Sequence, residues 1–187
     1  ALIFTNSVLT AKRLYQLLSK MTTFMTYAGE AGETGDRVDS SEPSNNPTID
    51  SRSVALLSSS ESESARQAAL SEYHKGRVRW MITTDGSTRG LDLKGLPAVI
   101  QYDAPSHSQT YLHRVGRTAR AGAFGSAYTL LGESQMHHFK VLLTELNRKQ
   151  TVKKLKLDSF IKDFETVDSL SELRKEYYEI LGLNKEM

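Results

Sequence analysis

Apolar residues along this chain follow two patterns, which predict two kinds of element. Short unbroken apolar runs, at residues 2–4 and 54–57, indicate strands that are covered on both faces, because such strands have few polar positions. Residues 10–21 instead carry their large apolar side chains at helical spacing, which predicts a helix. The same reasoning predicts strands at residues 79–83, 98–102 and 126–131, and helices at about 61–75, from Ser106 onward and around 136–146.

The order of these elements, strand then helix in repetition, predicts the fold class. Strands that alternate with helices pair in parallel through crossover connections, and the helices cover both faces of the sheet. The sequence therefore predicts an α/β protein built on one parallel sheet, with the loops that follow the strands gathered at one edge. A length of 187 residues with 39% hydrophobic residues is enough for one core of this kind.

Two segments fall outside this pattern. Residues 28–53 are rich in Gly, Ser, Asn, Pro and acidic residues, which predicts a flexible acidic insertion within a first domain of residues 1–150. Residues 151–187 form a predicted C-terminal extension that ends in an amphipathic helix, begun by a capping box of Ser169 and Glu172. The insertion is either a tolerated surface loop or a segment that docks a partner, and the terminal helix either folds back on the domain or binds another one.

The densest positive charge lies in the sequence HRVGRTARAG, which begins at His113. Three arginines follow one another at a spacing of three, and residues three apart are neighbours on a helix. If the helix that begins near Ser106 continues through this run, Arg114, Arg117 and Arg120 converge on one anionic ligand. Guanidinium groups are planar, forked and permanently charged, which suits phosphate oxygens. A solvated basic surface without a ligand is the alternative interpretation.

A second polar segment, TTDGSTRGLD from Thr83 to Asp92, follows an apolar stretch. Loops of this kind, at the carboxyl end of a strand in an α/β sheet, build ligand sites. The Thr84 hydroxyl and the backbone N–H groups of the loop are suited to phosphate, and Asp92 is suited to a ribose hydroxyl. Together with the arginine run, this segment indicates a site for a phosphorylated ligand.

These two segments resemble motifs V and VI of the DEAD-box RNA helicases. The resemblance implies a RecA-like fold and the second of two motor domains of an ATP-dependent RNA helicase, which hydrolyses ATP when RNA is bound. It implies ATP with Mg²⁺ as cofactors, held mainly by an N-terminal domain that this chain lacks, and single-stranded RNA as a ligand. Further similarities to the family are the opening sequence ALIFTNS, VIQYDAP at residues 99–105, and the spacing of Arg66, Leu70, Tyr73 and Gly76.

The resemblance also implies a nucleotide site on this chain. Arg117 and Arg120 would reach the γ-phosphate of ATP as catalytic residues, with Arg120 nearest to an arginine-finger role. Gly90 and Asp92 would belong to the same site, with Asp92 at the ribose. The resemblance implies no metal ligand among the residues of this chain.

A surface for RNA and a contact between domains are implied in the same way. His113 and Arg114 would couple this domain to the acidic motif of the partner domain. The RNA backbone would meet a set of residues from three motifs, in which Ser7 is the weaker candidate: Arg66, Thr84, Gly86 and Ser7.

The sequence departs from the family pattern at the start of the second predicted helix. Ser58 and Ser59 stand where most members have a His-Gly pair, and Glu63 stands where they have Gln. A carboxylate near an RNA backbone repels phosphate, which would weaken the contact or change its arrangement. Glu63 also fits a capping box with Ser60, in which hydroxyl and carboxylate satisfy the first free N–H groups of the helix. We favour this structural interpretation of Glu63.

The chain has no G-xxxx-G-K-[ST] phosphate loop and no Asp-Glu-Ala-Asp sequence. Without them the β and γ phosphates of a nucleotide have no cradle, so the isolated chain is expected to be inactive as an ATPase. It opens directly on an apolar strand without an initiator Met, and we expect the complementary half to precede residue 1. An RNA-binding or assembly scaffold module with a non-catalytic partner domain is the alternative hypothesis.

The composition of the chain limits the cellular compartments and the kinds of partner that we expect. There are no cysteines, no apolar run of the roughly 20 residues that a membrane span needs, and a net charge of only +2. These values predict a soluble, intracellular protein without a membrane partner, and they do not by themselves imply nucleic-acid binding. The tail and the insertion are most similar to those of family members that act in large ribosomal subunit assembly. This resemblance implies pre-ribosomal RNA and ribosome-assembly proteins as partners, and a nuclear, nucleolar location.

Overall fold

The computed structural model of the protein describes residues 1–30, 53–88, 93, 96–148 and 151–155. Strands and helices alternate through most of this part of the chain, as the sequence predicts. Two short 3₁₀ helices add to them, at Asp85–Thr88 and Glu133–Gln135. In chain order the elements are β1 (Leu2–Thr5), α1 (Val8–Glu30), β2 (Val54–Leu57), α2 (Glu63–His74), β3 (Trp80–Thr84), β4 (Ala98–Gln101), α3 (Ser108–Val115), β5 (Ser126–Thr129) and α4 (Met136–Glu145).

Within the described residues, five strands form one sheet in the order β2-β3-β1-β4-β5, and every neighbouring pair is parallel. In the central strand β1, Leu2 is in register with Met81 of β3 and with Val99 of β4. The predicted α/β class with a parallel sheet is confirmed. Parallel strands end at the same edge, and we call this the carboxyl edge of the sheet. It is built from the segments that begin at Asn6, Ser58, Asp85 and Tyr102.

Different helices cover the two faces of the sheet. Side chains alternate along β1, so Leu2 and Phe4 pack in a cluster with Leu70 of α2, whereas Ile3 packs in a cluster with Leu14 of α1. None of these five side chains is more than 8% exposed. Burying a side chain of this size stabilises the fold by about 1.5–3 kcal/mol relative to leaving it exposed. Burial on both faces is the reason that β1 and β2 contain unbroken apolar runs in the sequence.

A third cluster joins α3 to α4. The rings of Tyr111 and Phe139 meet edge to face with their centroids 5.9 Å apart. Leu142 and Leu143 of α4 are buried beside them. Aromatic pairs in this geometry contribute about 0.5–1.5 kcal/mol beyond the area that they bury. This packing fixes α3, which leads directly into the arginine run.

Helix α1 is longer than the sequence predicts. It begins at Val8 and ends at Glu30, so residues 28–30 of the predicted insertion are helical. The rest of that insertion up to residue 52 lies outside the described residues, and so does the predicted terminal helix, within residues 156–187. Among the helices that the structure describes, none combines the length and the apolar character that crossing a membrane requires.

Candidate functional site

Arg114 lies at the centre of the carboxyl edge and joins three of its segments. Its side chain is only 1% exposed. Nε and Nη2 donate to the two carboxylate oxygens of Asp85, at 2.8 and 2.7 Å. Nη2 also donates to Oδ1 of Asn6 at 2.7 Å, and Nη1 donates to the backbone oxygen of Asp103 at 2.8 Å. One guanidinium group therefore ties α3 to the segments that follow β1, β3 and β4.

The contacts of Arg114 lie within its own domain, whereas its predicted role is to couple this domain to a partner domain. A direct contact with a partner domain requires a side chain that reaches the surface, and Arg114 is buried with its donors directed at residues of its own domain. Its bidentate pair with Asp85 is of the charge-assisted type, which fixes geometry as well as contributing energy. Arg114 is therefore a positioning residue within the edge. His113 is exposed, and the roles of His113 and Arg114 in coupling the domains stay predictions.

The arginine run is not one continuous helix. Helix α3 ends at Val115 with Gly116 as its C-cap, and a loop of residues 116–125, which we call the arginine loop, follows it. The side chain of Thr118 anchors this loop, because its Oγ1 donates to the backbone oxygen of Leu96 at 2.6 Å in a buried position. The expectation that Arg114, Arg117 and Arg120 converge along one helix is therefore wrong.

The backbone of the arginine loop is held in an unfavourable conformation. Ala119 and Ala121 both have φ of 53°, in the left-handed region that residues with a Cβ rarely adopt. Each costs on the order of 1 kcal/mol, which the surrounding contacts must offset. Gly125 contributes by allowing close approach, since a Cβ at this position would lie 2.1 Å from Oγ1 of Thr118. The fold thus imposes the backbone conformation of the arginine loop.

Arg117 and Arg120 leave α3 on this loop as two neighbouring cations. Arg117 is half-buried and Arg120 is exposed. Burial lowers the pKa of the Arg117 guanidinium, and the positive charge of Arg120 lowers it further. Arg120 donates through Nε to the backbone oxygen of Gly116 at 2.6 Å, and neither arginine has a carboxylate partner within the part of the chain that the structure describes. Two close cations without a counter-ion form a site that an anion stabilises.

Hydroxyl groups join the segment after β3 to the segment after β2. Oγ1 of Thr84 and Oγ of Ser87 are 2.9 Å apart, and Oγ of Ser87 also accepts a hydrogen bond from the backbone N–H of Ser59 at 2.9 Å. Thr84 is 9% exposed, so its predicted phosphate-binding hydroxyl already has a protein partner. Gly86 is exposed, and a Cβ added there would meet no atom within 4 Å. The fold itself therefore does not require glycine at this position.

Arg66 lies on the first turn of α2. Its Nη2 forms an ion pair with Oε2 of Glu63, and Gln67 donates through Nε2 to Oε1 of the same carboxylate at 2.9 Å. The hydrogen bond from Gln67 and the charge of Arg66 hold the pKa of the Glu63 carboxyl below its usual range. The predicted RNA-binding cation is thus already paired with a carboxylate in its own helix.

The predicted capping box at the start of α2 is wrong. The helix begins at Glu63, and its N-cap is Ser62, whose Oγ accepts a hydrogen bond from the backbone N–H of Ala65 at 3.2 Å. Ser60 lies before the cap and hydrogen-bonds with Oγ of Ser58 at 3.0 Å. Glu63 is therefore the first helical residue, and its carboxylate contacts Arg66 and Gln67 instead of a cap N–H.

The remaining predicted residues fall into two groups. Ser7 is exposed at the carboxyl edge, where its Oγ accepts from the backbone N–H of Thr10 at 3.0 Å at the start of α1. This contact assigns Ser7 a structural role in its helix, and its contact with RNA stays a prediction. Gly90 and Asp92 lie outside the described residues.

Asp85, Asn6 and Asp103 belong to the site, although sequence reasoning did not select them. Each follows the carboxyl end of a strand, which is the sequence signal that was available for finding them. Asp103 also accepts from the backbone N–H of Asn6 at 2.7 Å, so the three residues form one network around Arg114. Among the described residues, no group of three His, Cys, Asp or Glu side chains is arranged to hold a metal ion.

Comparison with known proteins identifies a family and individual proteins to which this chain is similar. Residues 33–122 match the family described as helicase conserved C-terminal domain. The ATP-dependent RNA helicase DDX51 of Homo sapiens is 45% identical over 92 residues, which cover 49% of this chain and 14% of the relative. The chain spans between 14% and 20% of the length of the first curated relatives that it matches.

Solved structures share the fold. The structure of Mss116p DEAD-box helicase domain 2 bound to an RNA duplex superposes with a TM-score of 0.58 at 17% identity, covering 96% of this chain and 64% of the other. The structure of the C-terminal domain of the DEAD-box protein Dbp5 gives a TM-score of 0.55 at 20% identity, covering 89% and 81%. At these identities the likeness concerns the fold, which is the RecA-like fold that the sequence predicts.

Proposed function

We propose that this chain, which contains the helicase conserved C-terminal domain in the form found in the DEAD-box RNA helicases, is the second motor domain of an ATP-dependent RNA helicase. The observation that carries this proposal is the adjacent pair of Arg117 and Arg120 on the arginine loop. Burial and the positive charge of Arg120 lower the pKa of Arg117, and neither cation has a carboxylate partner in the described structure. A polyphosphate supplied from another domain would neutralise both.

Catalysis would require the arginine loop to meet a nucleotide that the N-terminal domain holds together with Mg²⁺. Arg117 and Arg120 would then stabilise the charge that develops on the γ-phosphate as its bond to ADP breaks. An arginine in this position accelerates phosphoryl transfer by roughly 10³ to 10⁵ fold. Gly90 and Asp92 would complete the site at the ribose, and His113 would contact the partner domain.

RNA would bind along the neighbouring part of the carboxyl edge. Arg66, Thr84, Gly86 and Ser7 are the residues that we propose for this contact. Gly86 supports the proposal, because its position is open and its backbone is not in the positive φ range. The fold therefore does not explain why residue 86 is a glycine. Close approach of an RNA backbone would explain it, because a side chain at this position would keep the two backbones apart.

The proposed biological setting is assembly of the large ribosomal subunit in the nucleolus. Its support is the resemblance of the tail and the insertion to family members that act there, and it does not depend on the site geometry. Pre-ribosomal RNA and ribosome-assembly proteins would be the partners in this setting. Crosslinking of RNA to the complete protein in cells, followed by sequencing of the bound RNA, tests it, and an RNA population without pre-ribosomal sequences would contradict it.

Arg120→Lys in the complete two-domain protein tests the proposed catalytic role. Lysine keeps the charge but loses the planar fork, so we expect ATP turnover under saturating RNA to fall by at least about a hundredfold. Arg77→Lys is the matched control, because Arg77 is exposed in the connection between α2 and β3, at the opposite edge of the sheet. Unchanged turnover in Arg120→Lys would contradict the proposal. Intact RNA binding in that case would favour an RNA-binding module without catalysis.

A further inference from the structure

Arg66 differs from the two arginines of the arginine loop, because its guanidinium group already forms an ion pair with a carboxylate. Arg117 and Arg120 have no carboxylate partner in the described part of the chain, whereas Arg66 is paired with Glu63. Glu63 precedes Arg66 by about one helical turn, and its side chain is 61% exposed. The cation proposed for RNA is therefore neutralised by a neighbour that is itself open to solvent.

Two contacts keep the Glu63 carboxylate in this position. Oε1 accepts from Nε2 of Gln67 at 2.9 Å, and Oε2 accepts from Arg66. The Gln67 hydrogen bond contributes most to lowering the pKa of Glu63, and the charge of Arg66 adds to it. The carboxylate is therefore ionised at neutral pH.

Arg66 offers an incoming anion little other surface. Its Nε is shielded from solvent and has no hydrogen-bond partner in the described part of the chain, and the side chain as a whole is 23% exposed. A phosphate therefore has to approach the outer nitrogens of the guanidinium, and the Glu63 carboxylate already engages one of them. A second anion at the same group is repelled by the first.

We propose that Glu63 competes with the RNA backbone for Arg66 and thereby lowers the affinity of this edge for RNA. The inference rests on the proposed function, because it requires Arg66 to contact an RNA phosphate. An exposed ion pair between residues three apart on a helix is weak, so RNA displaces Glu63 instead of being excluded by it. The expected reduction in affinity is about two- to fivefold.

Glu63→Gln in the complete two-domain protein tests the inference. RNA affinity is measured by fluorescence anisotropy of a labelled single-stranded oligouridine, in the presence of a non-hydrolysable ATP analogue. Gln removes the charge and keeps the shape. Glu72→Gln is the matched control, because Glu72 lies on the same helix, pairs with Lys75 and Arg77, and loses the same charge near the other end of α2. We expect Glu63→Gln to bind about two- to fivefold more tightly, with Glu72→Gln unchanged.

The salt dependence of binding gives a second readout. If Arg66 becomes free to neutralise one more phosphate, the slope of log affinity against log salt concentration becomes steeper by up to about 0.7 in Glu63→Gln. If the loss of one negative charge changed the slope through the net charge of the protein alone, Glu72→Gln would change the slope by the same amount. Equal slopes in the two variants would overturn the inference.

Arg66→Gln separates this inference from the proposed function. We expect it to weaken RNA binding and to abolish the gain from Glu63→Gln in the double variant. If Arg66→Gln weakens binding but Glu63→Gln binds no more tightly than wild type, the inference is wrong and the RNA role of Arg66 stands. If Arg66→Gln leaves binding unchanged, the RNA role of Arg66 fails, and the inference fails with it.

Discussion

Gly125, which precedes β5, and Gly86, at the carboxyl edge, are subject to opposite steric conditions. A Cβ on Gly125 would lie 2.1 Å from Oγ1 of Thr118 and 2.6 Å from the backbone nitrogen of Ala119, which is closer than real Cβ atoms approach. Thr118 cannot move away freely, because its hydroxyl is hydrogen-bonded to Leu96. A Cβ on Gly86 would instead enter open space. One glycine is required by the packing of the arginine loop, and the other is available to a ligand.

Gly125→Ala is predicted to destabilise the protein and to displace the arginine loop. The added methyl group forces backbone movement at residues 118 and 119, which costs about 1–3 kcal/mol. Thermal unfolding measures the first effect, and ATP turnover of the complete protein with saturating RNA measures the second. Gly86→Ala is the control, for which we expect unchanged unfolding and weaker RNA binding. A Gly125→Ala variant with the stability and turnover of wild type would contradict the close packing described for this loop.

At the scale of single elements, the sequence pattern predicts the strands better than it predicts where helices begin and end. Strands β1 and β2 were predicted to within about one residue, because burial on both faces demands unbroken apolar runs such as Val54–Leu57. The sequence carries one signal for the end of α3 at Val115, which is the glycine that follows it, but the arginine spacing in HRVGRTAR is also compatible with a continuing helix. Contacts distant in sequence fix the chain around this end, namely those of Thr118 with Leu96 and of Arg114 with the segments of the carboxyl edge.

The start of α2 illustrates a second limit of sequence reasoning. Residues 58–64 contain five serines, and each serine is a chemically competent cap. The sequence alone selects the wrong one, Ser60, because its spacing to Glu63 matches a capping box. The choice of Ser62 depends on how Ser58 and Ser59 are fixed, the latter through its backbone contact with Ser87. Such a contact across 28 residues leaves no local sequence signal.

Ser62→Ala is predicted to destabilise α2 by about 1 kcal/mol, because the backbone N–H of Ala65 loses its acceptor. Equilibrium unfolding in urea measures the change. Ser60→Ala is the matched control, and we expect it to change the free energy of unfolding by less than about 0.5 kcal/mol. A larger effect from Ser60→Ala than from Ser62→Ala would restore the capping box that the sequence suggested.

The whole chain carries the arginines for which we propose a contact with phosphate, without the sequence motifs that hold a nucleotide. Arg117 and Arg120 are placed by the fold, whereas the sequence has neither a phosphate loop nor an acidic Asp-Glu-Ala-Asp motif. The fold class was predictable at this scale, since alternation of strands and helices determines it. The arrangement of the insertion and of the C-terminal extension stays a prediction.

The chain on its own is predicted to show no RNA-stimulated ATP turnover, because the β and γ phosphates have no cradle. Phosphate release measured with and without single-stranded RNA tests this expectation. Adding the N-terminal domain in the same polypeptide is expected to restore turnover. ATP hydrolysis by the chain alone, retained after removal of contaminating ATPases by a second purification step, would contradict the division of the site between two domains.

The burial of Arg114 has a thermodynamic consequence for the two ends of the carboxyl edge. Its hydrogen bonds to Asp85 link the start of the Asp85–Thr88 turn to the helix that leads into the arginine loop. A ligand that favours this arrangement at one of the two places lowers the free energy of the same arrangement at the other. For the RNA and nucleotide sites that we propose, reciprocity requires that the factor by which nucleotide tightens RNA binding equals the factor by which RNA tightens nucleotide binding. In this proposal Arg114 contacts neither ligand, and its contacts would contribute to the coupling free energy between them.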